Sequence, residues 1–254
     1  MSNRAAWQPL RNELQRWADA GRRAKLWFRD DDAVEPTEAL DRLLALSDRH
    51  SVPVTLAVIP AHTSEPLATR LASQKDLTVT VHGWTHHNYA PDEAKKQELG
   101  PHRPHAIILD ELRQGFDKLK VLYPQQFAPM LVPPWNRIDK ALLPGLAAFG
   151  YRAVSVYGLA KPDQPIALIN THVDIMDWHG THGGWPHAEL VGYLVRELQN
   201  RFDGNSEPIG ILTHHLVHDA LAWDFIATLF EETAAHAAID WRHVGDFMGQ
   251  QQHA

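Results

Sequence analysis

Short apolar, β-rich runs alternate with amphipathic helical stretches along the whole of this 254-residue chain, and that alternation limits its fold more than any other feature. The expected strands are Lys25 to Asp30, Val52 to Ile59, Leu77 to His82, Met130 to Val132, Arg152 to Tyr157, Ile166 to Val173 and Ile209 to Thr213. Each is bounded by Pro, Gly or polar residues. Between them lie the helical patterns Thr37 to His50, His105 to Tyr123, His187 to Phe202 and Ala220 to His236. In the second of these, Ile108, Leu112, Phe116 and Leu119 fall on one face. Strands that alternate with helices pair in parallel through right-handed crossovers, so the fold class is α/β. About seven such units either close into a barrel or stay an open sheet, and periodicity does not decide between the two.

A chain of this length suits one large domain, since α/β folds of about 200–250 residues often build a single core. No linker or composition shift divides residues 1–254. Residues 1–24, with Trp7, Leu10, Leu14 and Trp17 at helical spacing, read as a packing element outside the main repeat. Asp and Glu number 31 against 24 Lys and Arg, a formal charge of −7. A groove for duplex nucleic acid needs a basic stripe, so that function is excluded. With no cysteine, disulfides and thiolate metal sites are excluded as well. No apolar run approaches the roughly 20 residues a membrane helix needs. Met1 to Leu10 lacks the apolar core of a signal peptide, so a soluble, cytoplasmic protein is expected. The unusual count is 17 histidines.

Several ionisable clusters fall just past the C-terminal end of an expected strand. They are Asp30-Asp31-Asp32, His82 with His86, Asp174 with Asp177, and His214, His215 and His218. In parallel α/β folds this rim gathers catalytic groups. Histidines at i and i+4 on one helical turn, as His82 and His86 would be, point the same way and can share a metal. The plainer account is chance in a His-rich chain. Three adjacent acids at a strand end repel one another unless a cation compensates. A helix N-cap accounts for one; the economical use of the others is one metal ligand and one general base. An Asp-His-His set leaves coordination positions open for water and substrate, which suits Zn2+, with Co2+, Ni2+ and Mn2+ also compatible.

In Leu131-Val132-Pro133-Pro134-Trp135 the prolines donate no hydrogen bond. The Trp135 amide is then the first available backbone donor on a stiff arm, as an oxyanion hole requires; a rigid loop with Trp135 in the core fits the segment equally well. In Leu212-Thr213-His214-His215, His214 is the candidate acid, while His215 and His218 read as ordinary polar surface residues. Trp84, Trp135, Trp178 and Trp185 fall in rim loops, where they either stack on sugar rings or pack in the core.

Taken in order, these segments resemble the polysaccharide deacetylase superfamily with the NodB-type homology domain (carbohydrate esterase family 4), from about Lys25 to Asp219. The family pattern is an Asp-Asp pair, an HxxxH motif, an Arg-x-Pro-Tyr loop, an Asp-x-x-Asp-Trp segment and a Leu-x-His segment. Here these stand as Asp31-Asp32, His82 to His86, Val132 to Trp135, Asp174 to Trp178 and Leu212 to His214. The resemblance implies a distorted (β/α) barrel of about seven parallel strands. It also implies that Asp32, His82 and His86 bind a divalent metal, that Asp31 is the general base, and that His214 is the general acid. Asp177 would orient His214, Trp178 and Leu212 would line the acetyl pocket, and the Trp135 amide would support the oxyanion. Two positions depart from the pattern. The family arginine is Val132, with Arg29 and Arg137 as candidates to stand in, and the family tyrosine is Trp135. Asp30-Asp31 remains an alternative working pair; Asp31-Asp32 places Arg29 two residues ahead, similar to the Arg-x-Asp-Asp form of some distant relatives.

The implied function is metal-dependent hydrolysis of an N-acyl group, N-acetyl first, from a sugar or glycan precursor. Activated water loses its proton to Asp31 and attacks the amide carbonyl, and His214 protonates the departing amine. A small non-sugar N-acyl metabolite is an alternative substrate. A catalytically silent carbohydrate-binding or regulatory protein is the alternative from a different class.

Overall fold

A computed structural model describes residues 3–249. Its strands are β1 (Ala24–Ala33), β2 (Val54–Val58), β3 (Leu77–His82), β4 (Phe127–Val132), β5 (Ala153–Val154), β6 (Ala167–Leu168), β7 (Val173–Asp174), β8 (Ile209–Thr213) and β9 (Ile239–Trp241). The helices are α1 (Asn3–Ala6), α2 (Gln8–Asp19), α3 (Glu38–His50), α4 (Glu65–Leu71), α5 (His105–Leu122), α6 (Leu143–Ala148), α7 (His187–Phe202), α8 (Ala220–Thr233) and α9 (Gly245–Met248). The chain forms two compact units. The first joins the segment ending at Asp30 to Glu38–Val54 and Thr171–Arg242, and the second joins Asp31–Thr37, Thr55–Asn170 and the segment from His243.

In the first unit β1 runs parallel to β8, from Leu26 opposite Ile209 to Asp30 opposite Thr213. It also pairs in parallel with β9, and β8 pairs with β7. Both faces of β8 are covered, so all five of its residues are buried and its sequence is an apolar run rather than an alternation. The apolar face of α2 (Leu10, Leu14, Trp17) is buried, with Trp17 edge-on to Phe202 of α7 at 5.2 Å and Arg16 over the same ring. Trp7 donates its indole N–H to His187 and stacks on Phe225. The N-terminal segment is thus a built part of this unit. On α8, Asp219 caps the helix by accepting from the Ala222 amide.

In the second unit β3, β4, β5 and β6 lie side by side, every ladder parallel. Helix α5 buries Ile108, Leu112, Phe116 and Leu119, the stripe its spacing predicts. Parallel strands of this kind end on a common rim, which places His82 at the end of β3 beside Val132 at the end of β4.

Among the described residues nine strands stand where about seven were expected. The run Ile166 to Val173 splits into β6 and β7 because Asn170 turns to the backbone, accepting from the Val156 amide and donating to the Gly158 carbonyl. Strand β9 is three residues long, too short to show a period. Among the described residues no helix is long and apolar enough to cross a membrane.

Trp17 is 3% exposed. Trp17→Ala should remove about 3–5 kcal/mol of stability, seen as a lower urea midpoint at an unchanged slope.

Candidate metal site

Asp32, His82 and His86 bring one ligand atom each to within 4.8 Å of one another. All three belong to the second unit. His82 is buried, and its Nδ1 donates to the Val132 carbonyl at 2.9 Å. A carbonyl only accepts, so in the neutral ring Nε2 carries the lone pair, the tautomer a metal ligand needs. That Nε2 lies 3.0 Å from Asp32 Oδ1, and His86 Nε2 lies 3.4 Å from the same oxygen. Burial, and after it the neighbouring His82, holds His86 below the usual imidazole range, which favours the neutral, ligating form. The donor set of two imidazoles and a carboxylate fits a borderline divalent cation.

The expected helical turn for the two histidines does not form. His82 closes β3 and His86 stands in an irregular loop, because Gly83 (φ +57°) and His86 (φ +60°) take left-handed conformations that a right-handed turn does not contain. A carboxylate shapes this loop instead. Glu98, wholly buried, accepts from the Trp84 and Thr85 amides and from the Thr85 hydroxyl. The Ala61 amide holds the Trp84 carbonyl from the other side. A side chain at position 83 would meet Glu98 Oε2 at 2.1 Å, so glycine is required both by the turn and by the close approach. Asp32 (φ +72°) and Trp135 (φ +54°) are likewise left-handed. Strain of about 1–3 kcal/mol per residue is typical of such positions and gathers at functional sites.

The Trp135 ring packs 4.4 Å from that of His86. Among the described residues its backbone N–H donates no hydrogen bond, whereas the next two amides close the turn onto Pro133 and Pro134. Asp31 follows Asp30 on β1 and is 3% exposed. Val132, in place of the family arginine, is wholly buried. Of the two cations considered as replacements, Arg137 donates to the Lys96 carbonyl and Arg29 is wholly buried in β1.

The remaining expected site residues belong to the first unit. His214 follows β8, with the Trp178 ring edge-on at 4.7 Å, and Leu212 is buried within the strand. The indole N–H of Trp178, which is 39% exposed, donates to Asp174. Asp177 serves its own turn: both carboxylate oxygens accept backbone amides, from Gly180 and Thr181. The Thr181 amide leads in holding its pKa below the usual carboxylate range. Among the described residues Asp177 makes no bond to His214, the group it was expected to orient.

His215 is not a surface residue. It is 1% exposed, and its Nδ1 pairs with the wholly buried Asp30, which also accepts from the His215 amide and the Thr213 hydroxyl. Burial alone would raise the Asp30 pKa, but the charge and hydrogen bond of His215 outweigh it and leave it below the usual range. Asp30 is thereby engaged within the first unit. His218 is not an ordinary surface group either. Its ring accepts from the His214 amide and meets Trp223, and burial pushes its pKa down to about 4. The sequence carried no clear sign of Glu98, whose partners are largely backbone amides, or of the pairing of Asp30 with His215.

A model of the polysaccharide deacetylase family matches residues 20–154, more than half of the chain. The chain belongs to the polysaccharide deacetylase family. No curated protein matches its sequence. Among solved structures it is similar to a putative polysaccharide deacetylase from Mycobacterium smegmatis, at 17% identity over 90% of each chain with a TM-score of 0.64. It is also similar to a family 4 carbohydrate esterase from Streptomyces lividans in complex with acetate, at 13% identity over 87% of this chain and 93% of that one, TM-score 0.58. A third is a peptidoglycan deacetylase from Bacillus subtilis, at 12% identity over 89% and 90%, TM-score 0.56. At these identities the likeness concerns the fold. It is the distorted (β/α) barrel of NodB-type deacetylases, here with nine strands among the described residues.

Two outcomes are expected from this geometry. Glu98→Gln sets an amide donor against backbone donors and should weaken zinc binding by about 10–100-fold, the range for lost supporting hydrogen bonds, in a competition titration with a chelator. For His218, the unfolded ring binds its proton near pH 6.5 and the folded one only near 4. The unfolded state therefore takes up protons first, and stability falls as pH drops through this window. His218→Gln should flatten that slope in urea melts between pH 4 and 6.5.

Proposed function

We propose that this protein is a metal-dependent hydrolase that removes an N-acyl group, N-acetyl first, from a sugar or glycan precursor, a non-peptide C–N bond. The observation that carries the proposal is the convergence of Asp32, His82 and His86 in a chain of this family. A divalent cation, Zn2+ before Co2+, Ni2+ or Mn2+, would supply Lewis acidity there.

The chain's own residues do the rest. The Val132 carbonyl and the Glu98-held loop keep both imidazoles in ligating orientation. Asp31, adjoining the Asp32 ligand, is assigned the general base that takes a proton from the attacking water. The Trp135 amide, free of other partners among the described residues, is assigned to the carbonyl oxygen as negative charge builds on it. His214 is assigned the acid that returns a proton to the departing nitrogen, so that water and amide become carboxylate and amine. Trp178 and Leu212 are assigned to the acyl group. Asp177, which the resemblance assigns to orienting His214, has its oxygens engaged by Gly180 and Thr181 and is assigned instead to the turn that carries Trp178. Acetate in the complex of the Streptomyces lividans esterase supports acetyl as the first acyl group to test.

One observation favours a second reading. An apolar, buried Val132 stands where the family has an arginine, which suits a carbohydrate-binding protein that has lost turnover.

Metal analysis combined with an acetate-release screen over N-acetylated sugars separates the two. The wild type should hold one divalent cation and release acetate; stoichiometric metal with no release from any of them would support the silent protein. Asp32→Ala and His86→Ala should each lose the metal. Asp31→Asn should keep it and lose about 10²–10⁴ in rate.

A further inference from the structure

A cavity of about 410 Å³ in the second unit is lined by Gln97, Asn136, Arg137, Lys140, Tyr157 and Lys161 over aliphatic residues of β5 and β6. That size is within the usual range of small-molecule sites, about 300–1,000 Å³. Two loops that build the metal cluster also wall the cavity. Gln97 precedes Glu98, the carboxylate under the His86 loop, and Asn136 and Arg137 follow Trp135. The two loops are tied together by a bridge between Leu99 and Ile138, with the Asp139 amide on the Leu99 carbonyl at 2.7 Å.

The charge of the lining is one-sided: three cations and no carboxylate. Among the described residues the side chains of Lys140 and Lys161 have no ion-pair or hydrogen-bond partner, and Arg137 donates only to the Lys96 carbonyl. Asp139, beside Lys140 in sequence, is taken up by His105 and the Ala141 amide, and Asp163, two residues after Lys161, does not line this cavity. Two other arginines of this unit are neutralised, Arg103 by Glu111 and Arg113 by Asp110 and Asp117. In a chain of net charge −7, a hollow walled by uncompensated cations has a local field of opposite sign that draws anions. Tyr157, half exposed at the same edge, adds a flat apolar surface beside the charge.

We propose that this cavity binds an anionic group, phosphate or carboxylate, carried by the substrate away from its N-acyl end. The preferred substrate is then an acidic N-acyl sugar rather than a neutral one. The proposal rests on the hydrolytic reading of the adjoining cluster, but its test does not depend on turnover.

Calorimetric titration of the full, metal-free chain at low salt compares N-acetylglucosamine, N-acetylglucosamine 1-phosphate and N-acetylmuramic acid. At least one anionic probe should bind about tenfold or more tighter than the neutral sugar, and whichever binds tighter tells phosphate from carboxylate. That preference should shrink with added salt and largely disappear in the double variant Lys140→Gln, Lys161→Gln. Equal affinities, no measurable binding of any probe at millimolar concentration, or a preference unchanged in the double variant would overturn the proposal. Acetate release by the metal-loaded wild type is scored separately, so failure of the hydrolytic reading and failure of the anion site are distinguishable.

Discussion

Two acceptor atoms face each other at the rim of the second unit: Nε2 of His82, whose other ring nitrogen is spent on Val132, and Oδ1 of Asp32, 3.0 Å away. Lone pairs held that close repel unless positive charge lies between them. A proton on His82 would serve, but His86 brings a third such atom to the same oxygen, and its burial beside His82 favours the uncharged ring. A shared cation satisfies all three. The surrounding backbone is committed to this convergence, since Asp32, His86 and Trp135 are each in a left-handed conformation that only a well-determined environment maintains. That environment consists of the buried Glu98, the side-chain-free Gly83 and the paired prolines ahead of Trp135.

Histidine abundance is no guide to which histidines act. His187 accepts an indole proton from Trp7, His105 is paired with Asp139, and His215 is sealed against Asp30. These are structural uses, each satisfying a buried or half-buried polar group. What distinguishes His82 and His86 is that their ring nitrogens turn to one another and to a carboxylate.

The sequence was legible where its signal is periodic. Strands Leu77–His82 and Ile209–Thr213 and helix His187–Phe202 have the bounds that apolar spacing and flanking polar residues imply. The ligand spacing at His82 and His86 was legible too, although for another reason than helical geometry: a strand end and a strained loop, not one turn of helix, set the rings 5.0 Å apart. Glu98 was hidden because it holds amides, which every residue carries and no pattern records. Strand alternation would set Asp30 and Asp32 on one face and Asp31 on the other; the left-handed Asp32 breaks that period, and only the buried His215 reveals what Asp30 faces.

The central claim is that one cation sits among Asp32, His82 and His86, and X-ray absorption at the zinc edge of the zinc-loaded protein tests it most directly. The account predicts a single environment with two imidazole nitrogens at about 2.0–2.1 Å and carboxylate or water oxygens at about 2.0–2.2 Å. A spectrum without the multiple-scattering signature of imidazole, or one left unchanged when His82 and His86 are both replaced, would contradict it.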